Sequence, residues 1–203
     1  MPSIGKRGLS SLAEGLVKAG ALQFGTFTLP DGTDSSYFIN LRSLPSYPGV
    51  YGLVIDAMEG VVAKKASKAD AICGIPITGL MMASPIATSL KKPLVYTRSK
   101  VGRDERMIEG EVRPGWNVLV VDDLSKSGNS VLASAKVVEQ EGGVVTDAVV
   151  LIDRLQGARG RLAKAGITLN AVTDVMELAE TLYSMQQISK EQLDSMAKSV
   201  RTR

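Results

Sequence analysis

Two adjacent aspartates, Asp122 and Asp123, stand at the end of an apolar run and directly before a loop of small residues. The stretch reads "NVLVVDDLSKSGNS" and continues into a pattern typical of a helix. Like charges side by side disfavour one another, so two carboxylates at the end of a buried strand indicate a bound partner. The hydroxyls of a sugar, or a Mg²⁺ ion that keeps most of its water, would suit such a pair.

The loop after the aspartates has the composition of an anion site. The N-terminus of a helix attracts anions through its free N–H groups and its dipole. Such residues are also common at ordinary helix caps, but one cap cannot use both carboxylates. A phosphorylated sugar is therefore the ligand class that the whole stretch favours. The loop contains Ser125, Lys126, Ser127, Gly128, Asn129 and Ser130.

The residue types that the chain lacks restrict the catalytic mechanisms that it can use. The chain has no histidine and a single cysteine, Cys73. Without histidine, Ser-His and Cys-His nucleophilic systems are excluded. Cys73 lies in the apolar run "AICGI", which predicts a buried structural thiol, and one cysteine allows no intramolecular disulfide. Catalysis must therefore use carboxylates, lysines, arginines, backbone groups or a bound ion.

Composition predicts a globular protein of the cytoplasm. The 203 residues are 44% hydrophobic and 22% charged, near the averages for soluble domains. The N-terminus "MPSIGKRGLSS" lacks the apolar core of a signal peptide, and no apolar span is long enough to cross a membrane. The net charge of +3 is spread along the chain, so neither nucleic acid nor a membrane is expected as a partner.

The elements that must position these residues follow an alternating pattern. Near-continuous apolar strands alternate with helical periodicity, which predicts an α/β fold with a mostly parallel sheet flanked by helices. We expect a first helix with a capping box at Ser11 and Glu14, a helix interrupted or kinked at Pro85, and two C-terminal helices. The strands are predicted at "DAICGI", "KPLVYTR", "NVLVVDD", "VVTDAVVLIDR" and "ITLNAVT".

A β-hairpin is predicted ahead of this alternation. The runs "ALQFGTFTL" and "SSYFIN" flank "PDGT", whose Asp-Gly supplies turn chemistry. We expect this hairpin to form part of a small N-terminal hood over the sheet. The expected organisation is one domain over residues 1–203, with about 1–45 contributing to the hood and 174–203 forming the C-terminal helices.

Three unusual loops follow predicted strands: "GIPITG", "RSKVGRDERMIEG" and "DDLSKSGNS". In open α/β sheets, ligands bind outside the carboxyl ends of the strands. We therefore expect the three loops to converge on one site.

The residues now support a resemblance. "VLVVDDLSKSGNS" resembles the signature with which type I phosphoribosyltransferases bind 5-phosphoribosyl 1-diphosphate (PRPP). "FGTFTLPDGTDSSYFINLR", "ICGIPITGL", "PLVYTR", "MIEGEVRPG" and "VLIDRLQGARGRLAKAGITL" occur in the order and at roughly the spacing of orotate phosphoribosyltransferases. The resemblance covers residues 24–174. It implies the type I phosphoribosyltransferase fold, a homodimer with a shared active-site loop, and Mg²⁺-dependent transfer of ribose 5-phosphate from PRPP to orotate in pyrimidine synthesis.

The resemblance also implies roles for single residues. Asp122 and Asp123 would hold the ribose hydroxyls and the water shell of the metal, and Lys100 and Arg103 would complete the catalytic set. The orotate site would use the backbone of Tyr37 and Phe38 together with Lys126 and Arg154. The implied PRPP-binding residues are Arg98, Lys100, Arg103, Ile77, Thr78, Gly79, Asp122, Asp123, Leu124, Ser125, Lys126, Ser127, Gly128, Asn129 and Ser130.

The sequence departs from the family pattern at cationic positions. Pro30, Asp31 and Gly32 replace the usual Lys-Ser-Gly of the hairpin turn, and the loop after the Tyr96 strand lacks histidine. Lys126 occupies the position of a threonine, where it can pair with the orotate carboxylate or fill the base pocket. Two alternatives to an active orotate enzyme therefore stay open. One is a regulator of the same fold that binds PRPP or a nucleotide, and the other is a transferase for a different base.

Overall fold

The computed structural model describes residues 4–28, 34–98 and 107–201, with the side chains of residues 34 and 201 excepted. The strands there are β1 (Leu22–Thr28), β2 (Asp34–Ile39), β3 (Ala71–Gly74), β4 (Leu94–Thr97), β5 (Ile108–Glu109), β6 (Val118–Ser125), β7 (Asp147–Asp153) and β8 (Thr168–Asp174). The helices are α1 (Lys6–Lys18), α2 (Pro48–Ala66), α3 (Thr78–Ser89), α4 (Asn129–Gln140), α5 (Ala158–Lys164), α6 (Val175–Ser184) and α7 (Lys190–Arg201). A 3-10 helix covers Leu41–Ser46.

The central sheet is mostly parallel. Its strand order is β5-β4-β3-β6-β7-β8, and β4, β3, β6, β7 and β8 all run in the same direction. Only the short β5 pairs antiparallel, with β4, among the described residues of this sheet. The predicted α/β fold with a mostly parallel sheet is confirmed. Because the strands are parallel, the loops after β3, β4, β6 and β7 all leave the sheet at one edge.

Both faces of the sheet are buried, which explains the continuous apolar runs. Alternate residues of a strand face opposite sides. In β6, Leu119 and Val121 join a core with residues of α1, α2, α3 and α6, whereas Val118 and Val120 join a core with residues of α4 and α5. Full burial of each such side chain contributes about 1.5–3 kcal/mol to folding. The sheet therefore forms a rigid base for its edge loops.

A separate two-stranded antiparallel sheet is formed by β1 and β2, so the predicted hairpin is confirmed. Tyr37 in β2 is fully buried, and β2 also contacts α7. The hairpin turn with Pro30, Asp31 and Gly32 lies outside the described residues. The single-domain organisation over residues 1–203 and the extent of the hood stay predictions.

Two predicted boundaries were wrong. Helix α1 begins after Gly5, so Ser11 and Glu14 lie inside the helix and form no capping box; Glu14 instead pairs with Lys18 one turn later, at 2.7 Å. The apolar positions of α1 repeat at helical spacing from Leu9 onward, which extends the helix beyond the local cap signal. Strand β7 begins at Asp147, three residues later than predicted, because Val144 forms only an isolated bridge.

Helix α3 continues through Pro85 and is not interrupted there. A proline inside a helix leaves the carbonyl four residues earlier without its N–H donor. That carbonyl belongs to Met81, and it accepts a hydrogen bond from the hydroxyl of Tyr51 in α2 at 2.7 Å. The neighbouring helix thus supplies the missing donor, and α3 can carry the loop before it to the sheet edge.

Candidate functional site

The paired aspartates lie in the last part of β6, which extends to Ser125. Asp122 is buried, with 7% of its surface exposed, whereas Asp123 is half-buried. The backbone N–H of Asp123 donates to Oδ1 of Asp122 at 2.9 Å, and that of Leu124 donates to Oδ1 of Asp123 at 2.8 Å. The pair is thus held by its own backbone, and neither carboxylate caps a helix in these contacts.

The electrostatics of the pair favour a ligand that compensates negative charge. Burial raises the pKa of Asp122 well above its ordinary value, and the charge of Asp123 raises it further. Burial also raises the pKa of Asp123, although hydrogen bonds from Leu124 and Thr78 oppose that shift. A hydroxyl donor or a cation that reached the two carboxylates would stabilise their ionised forms.

The loop after β3 meets the aspartates, as expected from the sheet topology. The N–H of Ile75 donates to the carbonyl of Val121 at 3.0 Å, and the hydroxyl of Thr78 bonds to Asp123. A Cβ placed on Gly79 would lie 2.8 Å from both Cα and Oδ1 of Asp122. Only a glycine therefore allows this loop to approach so closely. The loop contains a cis peptide bond between Pro76 and Ile77, and Ile77 is exposed.

The loop after β4 is described only at its ends. The N–H of Arg98 donates to the carbonyl of Met107 at 2.8 Å, and its guanidinium pairs with Glu109 at 3.3 Å. Arg98 therefore lies at the base of this loop, at the carboxyl edge of the sheet. Lys100 and Arg103, predicted as catalytic and PRPP-binding residues, lie outside the described residues.

The loop after β6 leads directly into α4. Gly128 adopts a left-handed conformation with φ of 79°, and no side chain caps the helix. The first-turn N–H groups of α4 therefore remain available to an anion, as the sequence predicts. Lys126 and Ser127 are half-buried, and Ser130 is exposed. Oδ1 of Asn129 accepts a hydrogen bond from Arg161 of α5.

A second group of polar residues lies at the end of β7, next to this loop. The N–H of Arg154 donates to the carbonyl of Ser125 at 2.9 Å. Its guanidinium carbon lies 5.1 Å from the ring centre of Tyr37, and Nη2 donates to the Tyr37 hydroxyl at 3.3 Å. The structure thus brings Arg154 and Tyr37 together beside the loop after β6. Phe38 is exposed and packs on Phe27, with ring centres 5.6 Å apart.

Three buried polar atoms of the described residues have no hydrogen-bond partner: Oγ of Ser36, Nε of Arg154 and Oε1 of Gln156. Buried polar groups are normally paired, so unpaired ones need an explanation such as a ligand or water. Arg154 and Gln156 follow β7, and Ser36 precedes Tyr37 in the hairpin. Unpaired donors and acceptors therefore occur both in the hairpin and directly after β7, where a ligand or a water molecule would satisfy them.

Sequence reasoning missed several residues of this region, including Ser36, Gln156, Arg159 and Arg161. Their positions follow no local motif, because they depend on how α5 and the hairpin pack against the sheet. The run "DRLQGARGR" did carry one signal, an excess of arginines directly after a strand that ends at the site. Charge concentrated at the carboxyl edge of a parallel sheet is a reason to consider ligand binding.

The described residues contain no group of three or more aspartate, glutamate, cysteine or histidine residues arranged to hold a metal ion. Within the same part of the chain, no helix is long and apolar enough to span a membrane. Two carboxylates such as those of Asp122 and Asp123 can hold a divalent cation together with water or with oxygens of a substrate. Mg²⁺ is commonly bound in this way, through one or two carboxylates and phosphate oxygens.

Comparison with known proteins identifies similar chains. Residues 43–180 match the phosphoribosyl transferase domain family. The orotate phosphoribosyltransferase of Cenarchaeum symbiosum is 38% identical over 173 residues, which are 83% of this chain and 86% of that protein. The crystal structure of orotate phosphoribosyltransferase from Aeropyrum pernix superposes with a TM-score of 0.74 at 34% identity, covering 85% of this chain and 99% of that one.

A longer protein is also similar. The structure of Leishmania donovani UMP synthase gives a TM-score of 0.85 at 31% identity and covers 96% of this chain. The chain spans only 42% of that protein.

Proposed function

The chain belongs to the orotate phosphoribosyltransferase family, and from this premise we propose that it transfers the phosphoribosyl group of PRPP to N1 of orotate, with Mg²⁺, in pyrimidine synthesis. The reaction forms a bond from N1 of orotate to C1 of the ribose, with release of the proton that N1 carries, and breaks the bond from C1 to the pyrophosphate. The products are orotidine 5′-monophosphate and pyrophosphate.

One observation supports the proposal: the loop after β3 and the loop after β6 meet at the paired aspartates. Gly79 of the loop after β3 lies against Asp122, and the loop after β6 continues from Asp123 into the uncapped N-terminus of α4. PRPP carries a phosphate at one end of a ribose and a pyrophosphate at the other. A ribose placed over the carboxylates would direct its 5-phosphate to α4 and its pyrophosphate to the N–H groups of residues 77–79.

The residues at the end of β7 fit an anionic pyrimidine. Orotate carries a carboxylate, and the guanidinium of Arg154 has a buried Nε that lacks a partner. Arginine binds carboxylates in a planar, two-pronged geometry. The neighbouring ring of Tyr37 and the backbone of Tyr37 and Phe38 would define the other edge of the base. This arrangement would orient N1 of orotate toward the ribose beside Ser125.

The acidic pair suits a Mg²⁺ ion that is coordinated jointly by the protein and by PRPP. Asp122 and Asp123 are the residues that would hold it, through water and through oxygens of PRPP, since the described residues offer no complete set of protein ligands. When bound, the ion supplies positive charge to the pyrophosphate as it leaves. The protein residues themselves bind and orient PRPP and hold it under the loops.

A direct assay tests the proposal. Purified protein is mixed with Mg²⁺, PRPP and orotate, and the absorbance of orotate is followed over time. Loss of orotate that depends on PRPP is expected. Measurable PRPP binding without turnover would refute enzymatic activity and favour a regulatory protein. Turnover only with another base would refute orotate as the substrate. Lys126 motivates the second comparison because it lies in the loop after β6, at a position where the family resemblance implies a threonine.

Exchange of the acidic pair tests the proposed sugar site. Asp122→Asn and Asp123→Asn keep the size of the side chains but remove the charges that ribose hydroxyls and Mg²⁺ require. We expect Mg²⁺-dependent PRPP binding to weaken by about tenfold or more in calorimetry. Glu139→Gln, at an exposed position near the C-terminal end of α4, provides a control that should bind PRPP as the wild type does. Unchanged affinity in both aspartate variants would contradict their assigned role.

Two further parts of the proposal concern assembly and location. We propose a homodimer in which Lys100 and Arg103 of one subunit reach the pyrophosphate of its neighbour, as the family resemblance implies. A monomeric mass in light scattering at micromolar concentration would contradict it. We propose the cytoplasm as the compartment, because a reducing environment suits a chain with one buried cysteine.

A further inference from the structure

The end of β7 carries a buried carboxylate that PRPP binding does not explain. Asp153 is 1% exposed, and its Oδ2 accepts a hydrogen bond from Nε of Arg159 at 2.6 Å. Nη1 of Arg159 also donates to the carbonyl of Leu169 in β8, at 3.1 Å. A buried carboxylate needs such a partner, because an uncompensated charge in the interior is strongly unfavourable. Arg159 therefore connects the end of β7 to the neighbouring strand.

The same carboxylate holds an unusual backbone conformation. Leu155 has φ of 56°, a left-handed value that side chains other than glycine rarely adopt. Oδ1 of Asp153 accepts the N–H of Leu155 at 2.8 Å, and the Leu155 side chain packs against the core. Such conformations persist where surrounding contacts impose them, and they cluster at functional sites. Here the turn comes directly after Arg154.

Arg154 depends on this turn for its position. Its N–H is bonded to Ser125, and its Nη2 to the hydroxyl of Tyr37, but its Nε is buried without a partner. Hydrogen bonds of the guanidinium alone therefore do not account for where the side chain lies. The backbone around it also contributes, through the bond of its own N–H to the carbonyl of Ser125 and through the bond of the Leu155 N–H to the carboxylate of Asp153.

We propose that Asp153 and Arg159 are positioning residues that hold the guanidinium of Arg154 ready for the carboxylate of the substrate base; this inference rests on the proposed function. Arg159 neutralises Asp153, Asp153 holds Leu155 in its left-handed turn, and the turn directs Arg154 under the hairpin. Loss of Arg159 therefore affects binding of the base and leaves the phosphate-binding loops intact.

The steady-state kinetics of Arg159→Gln test whether Arg159 affects binding of the base without affecting binding of PRPP. The side chain of Arg159 is 55% exposed, so it can be replaced without opening the core. We expect KM for orotate to rise by about tenfold while KM for PRPP changes by less than about twofold. Arg159→Lys, which keeps the charge but loses the fork to Asp153 and Leu169, should restore part of the loss. Lys164→Gln, on the exposed end of the same helix, should change neither constant. Equal rises of both KM values, or no rise, would overturn the proposal.

A second measurement requires no substrate. In wild-type protein labelled with ¹⁵N, the buried Nε–H of Arg154 should exchange slowly with solvent, and its signal is identified by its absence in Arg154→Lys. In Arg159→Gln we expect this exchange to be faster by at least about tenfold. Unchanged exchange would overturn the positioning role whatever the kinetics show. Faster exchange in a protein that does not use orotate would support the positioning role and refute the proposed substrate.

Discussion

Replacement of Gly79 by alanine should damage both stability and PRPP binding. The added Cβ would lie 2.7 Å from the carbonyl oxygen of Val121 and 2.8 Å from Cα of Asp122, and ordinary contacts begin at 3.4 Å. Helix α3 and β6 would have to separate by about 0.7 Å, since the opposing atoms belong to the backbone and cannot turn aside. Strand β6 carries both acidic residues of the proposed sugar site, Asp122 and Asp123.

Overpacking of this kind costs about 1–3 kcal/mol, and a rigid backbone partner places Gly79→Ala near the upper end. For a chain of this length, that loss lowers the melting temperature by about 6–12 °C. Misplacement of a catalytic group by a fraction of an ångström can reduce the rate by about 100-fold. We therefore expect kcat/KM for PRPP to fall by about that factor at temperatures where the variant is folded.

Alanine substitutions at two other glycines serve as controls for Gly79→Ala. Gly60 lies on the exposed face of α2 with open space around it, so Gly60→Ala should stabilise the protein by about 0.5–1 kcal/mol. A Cβ on Gly74 would lie 2.6 Å from Cα of Leu80, so Gly74→Ala should destabilise without adding an atom beside Asp122. Thermal unfolding and PRPP calorimetry are measured on all three variants. If Gly79→Ala keeps the wild-type melting temperature and PRPP affinity, the close contact with Asp122 is refuted.

Three further predictions concern stability and reactivity. Tyr51→Phe leaves the Met81 carbonyl without a donor and should cost about 1–2 kcal/mol in urea unfolding; the loss should shrink in Tyr51→Phe/Pro85→Ala, where residue 85 regains its N–H. Burial raises the pKa of Cys73 to about 12, so a thiol reagent should label it only after unfolding, and stability should decline above about pH 9, where only the unfolded thiol ionises. Asp174→Ala removes the cap of α6, which bonds two N–H groups, and should cost about 1 kcal/mol.

For each of these three predictions, a specific result would contradict it. An equal loss from Tyr51→Phe in the presence and absence of Pro85 would show that its hydroxyl does not replace the missing N–H. Rapid labelling of Cys73 in the native protein would contradict its burial in β3. Asp174→Asn should retain most of the cap, so equal losses from alanine and asparagine at that position would assign the effect to something other than the hydrogen bonds to α6.

The sequence predicted those parts of the site whose residues are neighbours in the chain. The apolar run, the acidic pair and the small residues before α4 are contiguous, so spacing alone places Asp122 and Asp123 next to an anion-binding helix end. Alternation of strands and helices then predicts that the loops after β3 and β6 meet, because parallel strands end at the same edge. The hairpin was also predictable, since turn residues lie between two β-rich runs.

Local signals failed where a longer pattern or a distant partner decided the outcome. Ser11 and Glu14 do not form the predicted capping box, because the apolar face of α1 continues toward its N-terminus. Pro85 did not end α3, because Tyr51 of another helix supplies the missing donor. Neither outcome can be predicted from the few residues on which the local signals depend.

The sequence by itself determined the fold class, the family resemblance and the acidic pair with the small-residue loop after it, because these depend on periodicity and on neighbouring residues. The resemblance also named Tyr37 and Arg154, but only the tertiary structure decided how these two residues contact one another and which residues hold them. Tyr37 and Arg154 are 117 positions apart and meet because the hairpin folds over the end of β7. The contact of Gly79 with Asp122 and the pairing of Asp153 with Arg159 likewise exist only after the sheet has formed, because packing of the chain creates them.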